Sequence, residues 1–309
     1  MKLKNLLVRM RRLQRSLKFI SRHPLVQRHS YWSAYSRYFL FHLLGRVSPG
    51  PIVYPYIGET SFIASPGMAG IVGNIYTGLE DFEEQGFLLH IIRKDDLFVD
   101  VGANVGGYTL LAAGICHAQV IAIEPIPAAI ERLTLNIRLN NLAEKVKIIR
   151  AGCSSTREVL KFTNDLDVLN RVVAPNENSA SGKTLDVKAL PLDEILSGLK
   201  PVLLKIDVEG YELEVIRGAK ETLQKPSLLA VIVELHGHEN RYGFDYRDVH
   251  DFLTANGFSP CTYDPFTRSL SLQNDYNHYK FNTLYIRNHA IIRKRIQQGK
   301  SVVVLGQTF

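Results

Sequence analysis

The chain has 309 residues, 46% of them hydrophobic and 22% charged, with a formal net charge of +7. That length and balance suit a folded globular protein of one or two domains, and no apolar run reaches the roughly 18 residues that a membrane-spanning helix needs. Cys116, Cys153 and Cys261 are scattered and odd in number, so neither a disulfide framework nor a metal-ligand spacing is expected, and the chain reads as cytoplasmic.

The charge is uneven. Residues 1–28 carry nine Lys/Arg and residues 287–309 carry five, both without an acid. The segment between them holds 23 basic and 30 acidic residues, a net of −7. A nucleic-acid groove over the body of the protein is therefore not expected.

In chain order, the first twenty residues place Leu3, Leu6, Met10, Leu13, Leu17 and Ile20 at helical spacing among basic residues. This amphipathic cationic helix lacks the unbroken apolar core and small-residue cleavage site of a secretory signal. Three readings stand: a helix packed on its own domain, peripheral contact of residues 1–28 with the inner membrane face, or a transit segment. Residues 31–44 suggest a second helix, stopped by Pro49, Gly50, Pro51 and Pro55. A short β/α lead-in over 52–92 ends in a helix near 81–92.

From Leu97 strands and helices alternate. Strands are expected at 97–101, 119–123, 146–150, 202–206 and 229–234, with helices at 106–116, 126–140, 191–197, 211–224 and 245–256. That pattern predicts an α/β fold with a mostly parallel sheet, and runs such as PVLLKI and LLAVIV suit strands covered on both faces. Residues 159–190 interrupt the alternation as a hairpin or exposed loop around APNENSASGK. Two late strands, 258–263 and 281–286, have no obvious helix between them, so at least one is expected to be antiparallel. The chain divides into an N-terminal extension (1–58), a main domain (59–286) and a basic tail (287–309).

The turn Asp100-Val101-Gly102-Ala103-Asn104-Val105-Gly106 sits where a strand hands over to a helix. Glycine there lets backbone approach a ligand, and ligands of open α/β sheets bind at the carboxyl ends of strands. Glu124 ends the next strand, at the spacing from which an acid reaches ribose hydroxyls. A pyrophosphate would want glycine where Asn104 stands and no carboxylate at Asp100. A ligand bearing an adenosine and a cationic group fits both acids.

Two more acidic strand ends follow. Lys205, Asp207, Glu209 and Glu212 cluster around one. A carboxylate ending a buried strand, such as Asp207, needs a partner, whereas Glu209 and Glu212 also suit the first turn of a helix. Glu234, His236 and His238 follow the other. His236 has the pKa range of a general base, and Asp207, Glu234 and His236 together could hold a divalent metal.

The blocks FVDVGANVGGYTLLAA, VIAIEPIPAAIERLTLNIRLN, LPLDEIL, LLKIDVEGYELEVIRGA and VIVELHGH resemble the FkbM-type family of S-adenosylmethionine-dependent methyltransferases, over about residues 75–286. The resemblance implies a Rossmann-like seven-stranded sheet with one antiparallel strand near the edge and S-adenosyl-L-methionine as cofactor. It implies Asp100, Gly102 and Asn104 around the methionine part of the cofactor, Gly106 as a further cofactor-binding residue of that turn, Glu124 on the ribose, and Gly152, between Ala151 and Cys153, near the adenine. Asp207 would border both cofactor and acceptor. The acid usual near the adenine is absent at 151–153. The expected reaction is O-methylation of a small-molecule hydroxyl, on a sugar of a glycan or glycolipid or on a secondary metabolite, with His236, Asp207 and Glu234 as catalytic candidates. The rival readings are a cofactor-binding partner protein without catalysis and a nucleotide-dependent oxidoreductase.

Overall fold

The computed structural model describes residues 2–47, 50–65, 68, 71–164, 170–174, 183–235 and 241–309. The elements are α1 (Lys2–Arg22), α2 (Pro24–Arg28), α3 (Tyr31–Val47), β1 (Ile52–Pro55), β2 (Ser61–Ala64), α4 (Val72–Thr77), α5 (Phe82–Ile91), β3 (Leu97–Val101) and α6 (Gly107–Leu110), which runs into a π turn over Leu111–Ile115. There follow β4 (Gln119–Ile123), α7 (Pro127–Leu139), β5 (Val146–Ile149), β6 (Gly152–Cys153), β7 (Glu158–Thr163), β8 (Thr184–Leu190), α8 (Leu192–Ile195), β9 (Pro201–Ile206), α9 (Glu212–Arg217), α10 (Lys220–Gln224) and β10 (Ala230–Glu234). The chain ends with α11 (Tyr246–Ala255), β11 (Ser259–Asp264), β12 (Ser269–Leu272), β13 (Asn282–Ile286), α12 (His289–Gln297), β14 (Val303–Val304) and β15 (Gln307–Thr308).

The main sheet has eight strands in the order β12-β11-β13-β10-β9-β3-β4-β5. The five from β10 to β5 are parallel, and β13 runs antiparallel to both β10 and β11. Seven of these strands make the expected methyltransferase arrangement. The eighth, β12, pairs antiparallel with β11 and covers the edge that β11 would otherwise present. Its four residues SLSL are mostly exposed and too short to stand out as a strand in the sequence. The segment expected as a hairpin forms one: β7 and β8 pair antiparallel and β6 joins β8 in a separate small sheet. Residues 175–182 lie outside the described residues. The helix expected over 211–224 is broken at Gly218, where a Cβ would come within 2.1 Å of the Ser154 carbonyl oxygen.

Alternation along the buried strands sorts the core into two layers. Val99, Val101, Leu204, Ile206, Val231 and Val233 face α8–α11. Phe98, Ala122, Leu203, Ala230 and Ile232 face the layer built from α5, α6 and its π turn, α7 and the N-terminal helices. Asp100, Lys205 and Glu234 share the parity of this second set. Three polar side chains are thereby aimed at one face near the carboxyl ends of adjacent strands.

Both basic termini fold onto that layer. Leu13 and Leu17 of α1 pack against the core, and Ile20, Leu25, Val26, Ala34 and Phe41 are buried in it. Among the described residues, no helix is long and apolar enough to cross a membrane. In residues 287–309, α12 packs against α5 and Arg295 pairs with Asp96. Phe309 is 5% exposed and stands edge-on to Phe82 at 5.3 Å and Phe266 at 5.9 Å. Phe309→Ala should therefore destabilise the whole domain by roughly 3 kcal/mol or more, the usual cost of emptying a buried aromatic site. Chemical denaturation measures it, and an unchanged midpoint would place Phe309 outside the cooperative core.

Candidate active site

The strand ends converge on a cavity of about 390 Å³. Asp100, Gly102, Asn104, Glu124, Gly152, Asp207 and Glu234 all line it. Gly106 does not. It is left-handed at φ +98°, and a Cβ there would meet Leu133 of α7 at 2.7 Å, so that glycine serves helix packing. His236 and His238 lie outside the described residues.

Gly102 is also glycine for a reason the sequence does not reveal. At φ +79° a Cβ would fall 1.8 Å from the carbonyl oxygen of Asp207. The turn after β3 and the turn after β9 are in backbone contact, and Asp207 N–H donates to the Val101 carbonyl at 3.0 Å. The close neighbour that excludes a side chain is thus Asp207 itself.

Glu124 is 5% exposed. One oxygen accepts from Asn104 N–H at 2.8 Å and the other from Ile126 N–H at 2.9 Å. A carboxylate has about four acceptor positions, so a free one remains on each oxygen, the arrangement a vicinal diol requires. Burial, against these two hydrogen bonds, raises its pKa to about 7. Asp100 accepts from the Thr109 hydroxyl at 2.7 Å, and burial raises it to about 6 despite that bond.

The floor of the cavity is built on Lys205. This lysine interrupts the otherwise apolar run PVLLKI, with its side chain 2% exposed and its Nζ 2.8 Å from Asp207 Oδ2. Its ammonium also lies over the Tyr108 ring, 5.3 Å from the centroid, and the Tyr108 hydroxyl donates to Asp81 at 2.9 Å. Burial works to deprotonate Lys205, but the neighbouring Asp207, then Asp81, outweigh it and hold it protonated. Glu234 is pushed far up by burial, then by the charge of Asp207 and a hydrogen bond shared with it, so it stays protonated near neutral pH. Asp207, 38% exposed at its side chain and paired with the Lys205 ammonium, looks into the cavity.

The opposite wall lies outside the motifs legible in the sequence. Asn74, Glu80, Asp81 and Gln85 come from the lead-in before β3, and Tyr108 from α6. The Asn74 side-chain carbonyl accepts from Glu80 N–H at 2.8 Å, and Gln85 accepts from Asp81 N–H at 3.2 Å, which fixes the acidic pair at the cavity rim. A buried lysine in PVLLKI was the available signal, since it demands carboxylates from elsewhere in the chain. The other end is apolar: Ile126 and Ala129 of the α7 start meet Phe162 and Val172 beside Gly152. That wall could take a planar base where an acid was missing from 151–153. The acidic end suits a cationic group.

A metal was a separate expectation. Carboxylate oxygens of Asp207, Glu209 and Glu234 lie within 4.8 Å of one another. The Lys205 ammonium already pairs with Asp207 at 2.8 Å, and an ion would have to compete with it there. Glu212, expected as a first-turn acid, plays a local role: one oxygen accepts from Val208 and Gly210 N–H, each at 3.1 Å, and closes the turn that follows Asp207.

A cavity at the carboxyl edge of this sheet, with a ribose-type acid, an acidic end and an apolar end, is that of an S-adenosylmethionine-dependent methyltransferase. Residues 100–260 match the Methyltransferase FkbM domain. The chain is 32% identical over 211 residues to the hexuronic acid methyltransferase AglP of Haloferax volcanii, which spans 66% of this chain and 82% of that relative. It is 28% identical over 174 residues to the methyltransferase sdnD of Sordaria araneosa, covering 46% of this chain and 67% of the other. Among solved structures, it is similar to M. jannaschii TYW2 in complex with AdoMet, with 15% identity, a TM-score of 0.39, and coverage of 77% of this chain and 87% of that one. The chain belongs to the FkbM methyltransferase family. It is a methyltransferase, and its cofactor is S-adenosyl-L-methionine.

Two outcomes follow from this geometry. Asp100→Ala should abolish cofactor binding by calorimetry while circular dichroism stays native; full affinity would remove Asp100 from the site. Glu212 has a folded pKa raised by burial from 4.5 to about 7. Its stabilising effect is complete below 4.5 and is lost as pH rises through 7, because the unfolded chain ionises first. Glu212→Gln escapes that loss, so its melting temperature should gain on the parent's between pH 4.5 and 7. A difference that does not change with pH would contradict the burial argument.

Proposed function

We propose that the protein transfers the methyl group to a hydroxyl oxygen of a small molecule, on a sugar of a glycan or glycolipid or on a secondary metabolite. The similarity to a hexuronic acid methyltransferase supports a sugar-type acceptor. The observation that carries the choice of a hydroxyl is the sign of the cavity. Even with Glu80 and Glu234 held protonated by burial, the carboxyls of Asp81, Asp100, Asp207 and Glu209 outnumber Lys205, the one cation among the described lining residues. A carboxylate acceptor would meet that field unfavourably, and a neutral hydroxyl would not.

The bound cofactor supplies a methyl group already activated on sulfonium. The protein's part is alignment and proton removal. Glu124 would hold the ribose, Asp100 and the Gly102–Asn104 turn the methionine end, and Gly152 the adenine side. Asp207 would accept the hydroxyl proton as the carbon–oxygen bond forms and the carbon–sulfur bond breaks. Lys205 and protonated Glu234 fix the orientation of that carboxylate by donating to it. His236, two residues beyond Glu234 in sequence, is the second candidate for the same proton. Residues 1–28, acid-free with Arg11, Arg15, Lys18 and Arg22 exposed, would touch an anionic membrane face. Their removal would take the buried Ile20, Leu25 and Val26 out of the core, so substitutions test the idea better than deletion.

The test uses methyl-labelled cofactor with neutral hexoses, hexuronic acids and their glycosides. A label stable to mild alkali is an ether and supports the reading; an alkali-labile label is a methyl ester and overturns it. Asp207→Ala should lower kcat by 10²-fold or more, read at saturating cofactor. A His236→Ala loss with Asp207→Ala silent would move the base to His236.

A further inference from the structure

α3 is apolar on both sides. Ala34, Tyr38 and Phe41 are buried against the core, as one face of a helix in this position requires. The opposite face carries Trp32 (83% exposed), Phe39 (54%), Leu40 (54%), Leu43 (57%) and Val47 (77%). At 100° per residue these five fall within an arc of about 100°, the width of a helix face made for burial. Scattered surface apolar residues are ordinary, but a contiguous stripe of large ones marks a contact surface.

The charge around the stripe selects the occupant. The first acid in the chain is Glu59, and the 58 residues before it hold 11 Lys/Arg. α1 and α2 pack beside α3, and α1 leaves Arg11, Arg15, Lys18 and Arg22 exposed. A second copy of the chain docked on this stripe would bring two such acid-free segments together. An acidic surface with an apolar interior would satisfy both features at once. Trp32 and Tyr31 at the start of the stripe suit the boundary between headgroups and acyl chains.

We infer that the outward face of α3 is a docking surface for an anionic lipid bilayer, lying in the interface without crossing it. The apolar stripe enters the headgroup boundary and the basic residues of α1 meet the lipid charge. This goes beyond contact through residues 1–28, since it assigns the apolar part of the contact to a different helix, and it does not depend on the acceptor.

The experiment is co-sedimentation of the full chain with phosphatidylcholine vesicles with and without phosphatidylglycerol. Binding should appear with phosphatidylglycerol and weaken with salt. The triple variant Phe39→Ser, Leu40→Ser, Leu43→Ser should lose binding by on the order of tenfold or more, with its melting temperature and its methyl transfer to a soluble acceptor unchanged. Charge reversal at Arg11, Arg15 and Lys18 should do the same. No binding by the parent, or binding that the serine variant retains, overturns the inference. So does a dimer, seen by light scattering, that the serine variant dissolves. Loss of methyl transfer with vesicle binding intact would instead count against the reaction proposed above.

Discussion

The structure depends on where one ammonium group sits. Lys205 occupies the fifth position of a strand whose six residues are all buried, and a charge in such a place is tolerable only when compensated. The compensation comes from Asp207 two residues on and from Asp81 far upstream, with Glu234 of the adjacent strand hydrogen-bonded to Asp207. Each acid is thereby drawn to the same spot. Tyr108 covers the ammonium and ties down Asp81. The cavity floor is a set of opposite charges held in mutual register by the sheet, since Lys205 pairs across with Asp100 on β3 and Ile232 on β10. Removing Asp207 would leave the buried ammonium without its direct counter-charge, which explains why the site is built around the lysine as well as the acids.

The fold was legible in the sequence wherever the signal was local. Buried parallel strands are continuous apolar runs, and 97–101 and 119–123 coincide with β3 and β4 to the residue. The acidic strand ends Asp100, Glu124, Asp207 and Glu234 were legible because they interrupt apolar runs, and the cavity gathers all four. What escaped was non-local. Asp81 precedes Lys205 by more than a hundred residues, and no periodicity links them. Phe162 and Val172 reach the cavity only because a small second sheet folds over the start of α7. Gly106 carries the motif's last glycine but answers to Leu133, whereas Gly102 answers to Asp207. Spacing alone cannot separate a glycine that admits a ligand from one that admits a neighbouring turn.

The two ends of the chain illustrate a different limit. Their basic composition marks them off from the acidic body, yet both contribute to its core, through Ile20, Leu25 and Phe41 at one end and Ile292, Ile296 and Phe309 at the other. Net charge describes the outer faces of these segments, and their buried faces obey the same apolar rule as the central strands. The N-terminal segment also reaches the site indirectly. Arg37 of α3 donates to the Ile75 and Tyr76 carbonyls at the end of α4, the helix that carries Asn74 to the cavity rim.

The Lys205 ammonium has one more consequence. Amine-modifying reagents attack the neutral amine, and this one is both protonated and sealed from solvent. In the folded protein Lys205 should therefore be chemically silent while exposed lysines such as Lys18 and Lys220 are acylated. Its first modification would record the opening of the sheet itself, making a residue of the cavity floor a built-in footprint of unfolding.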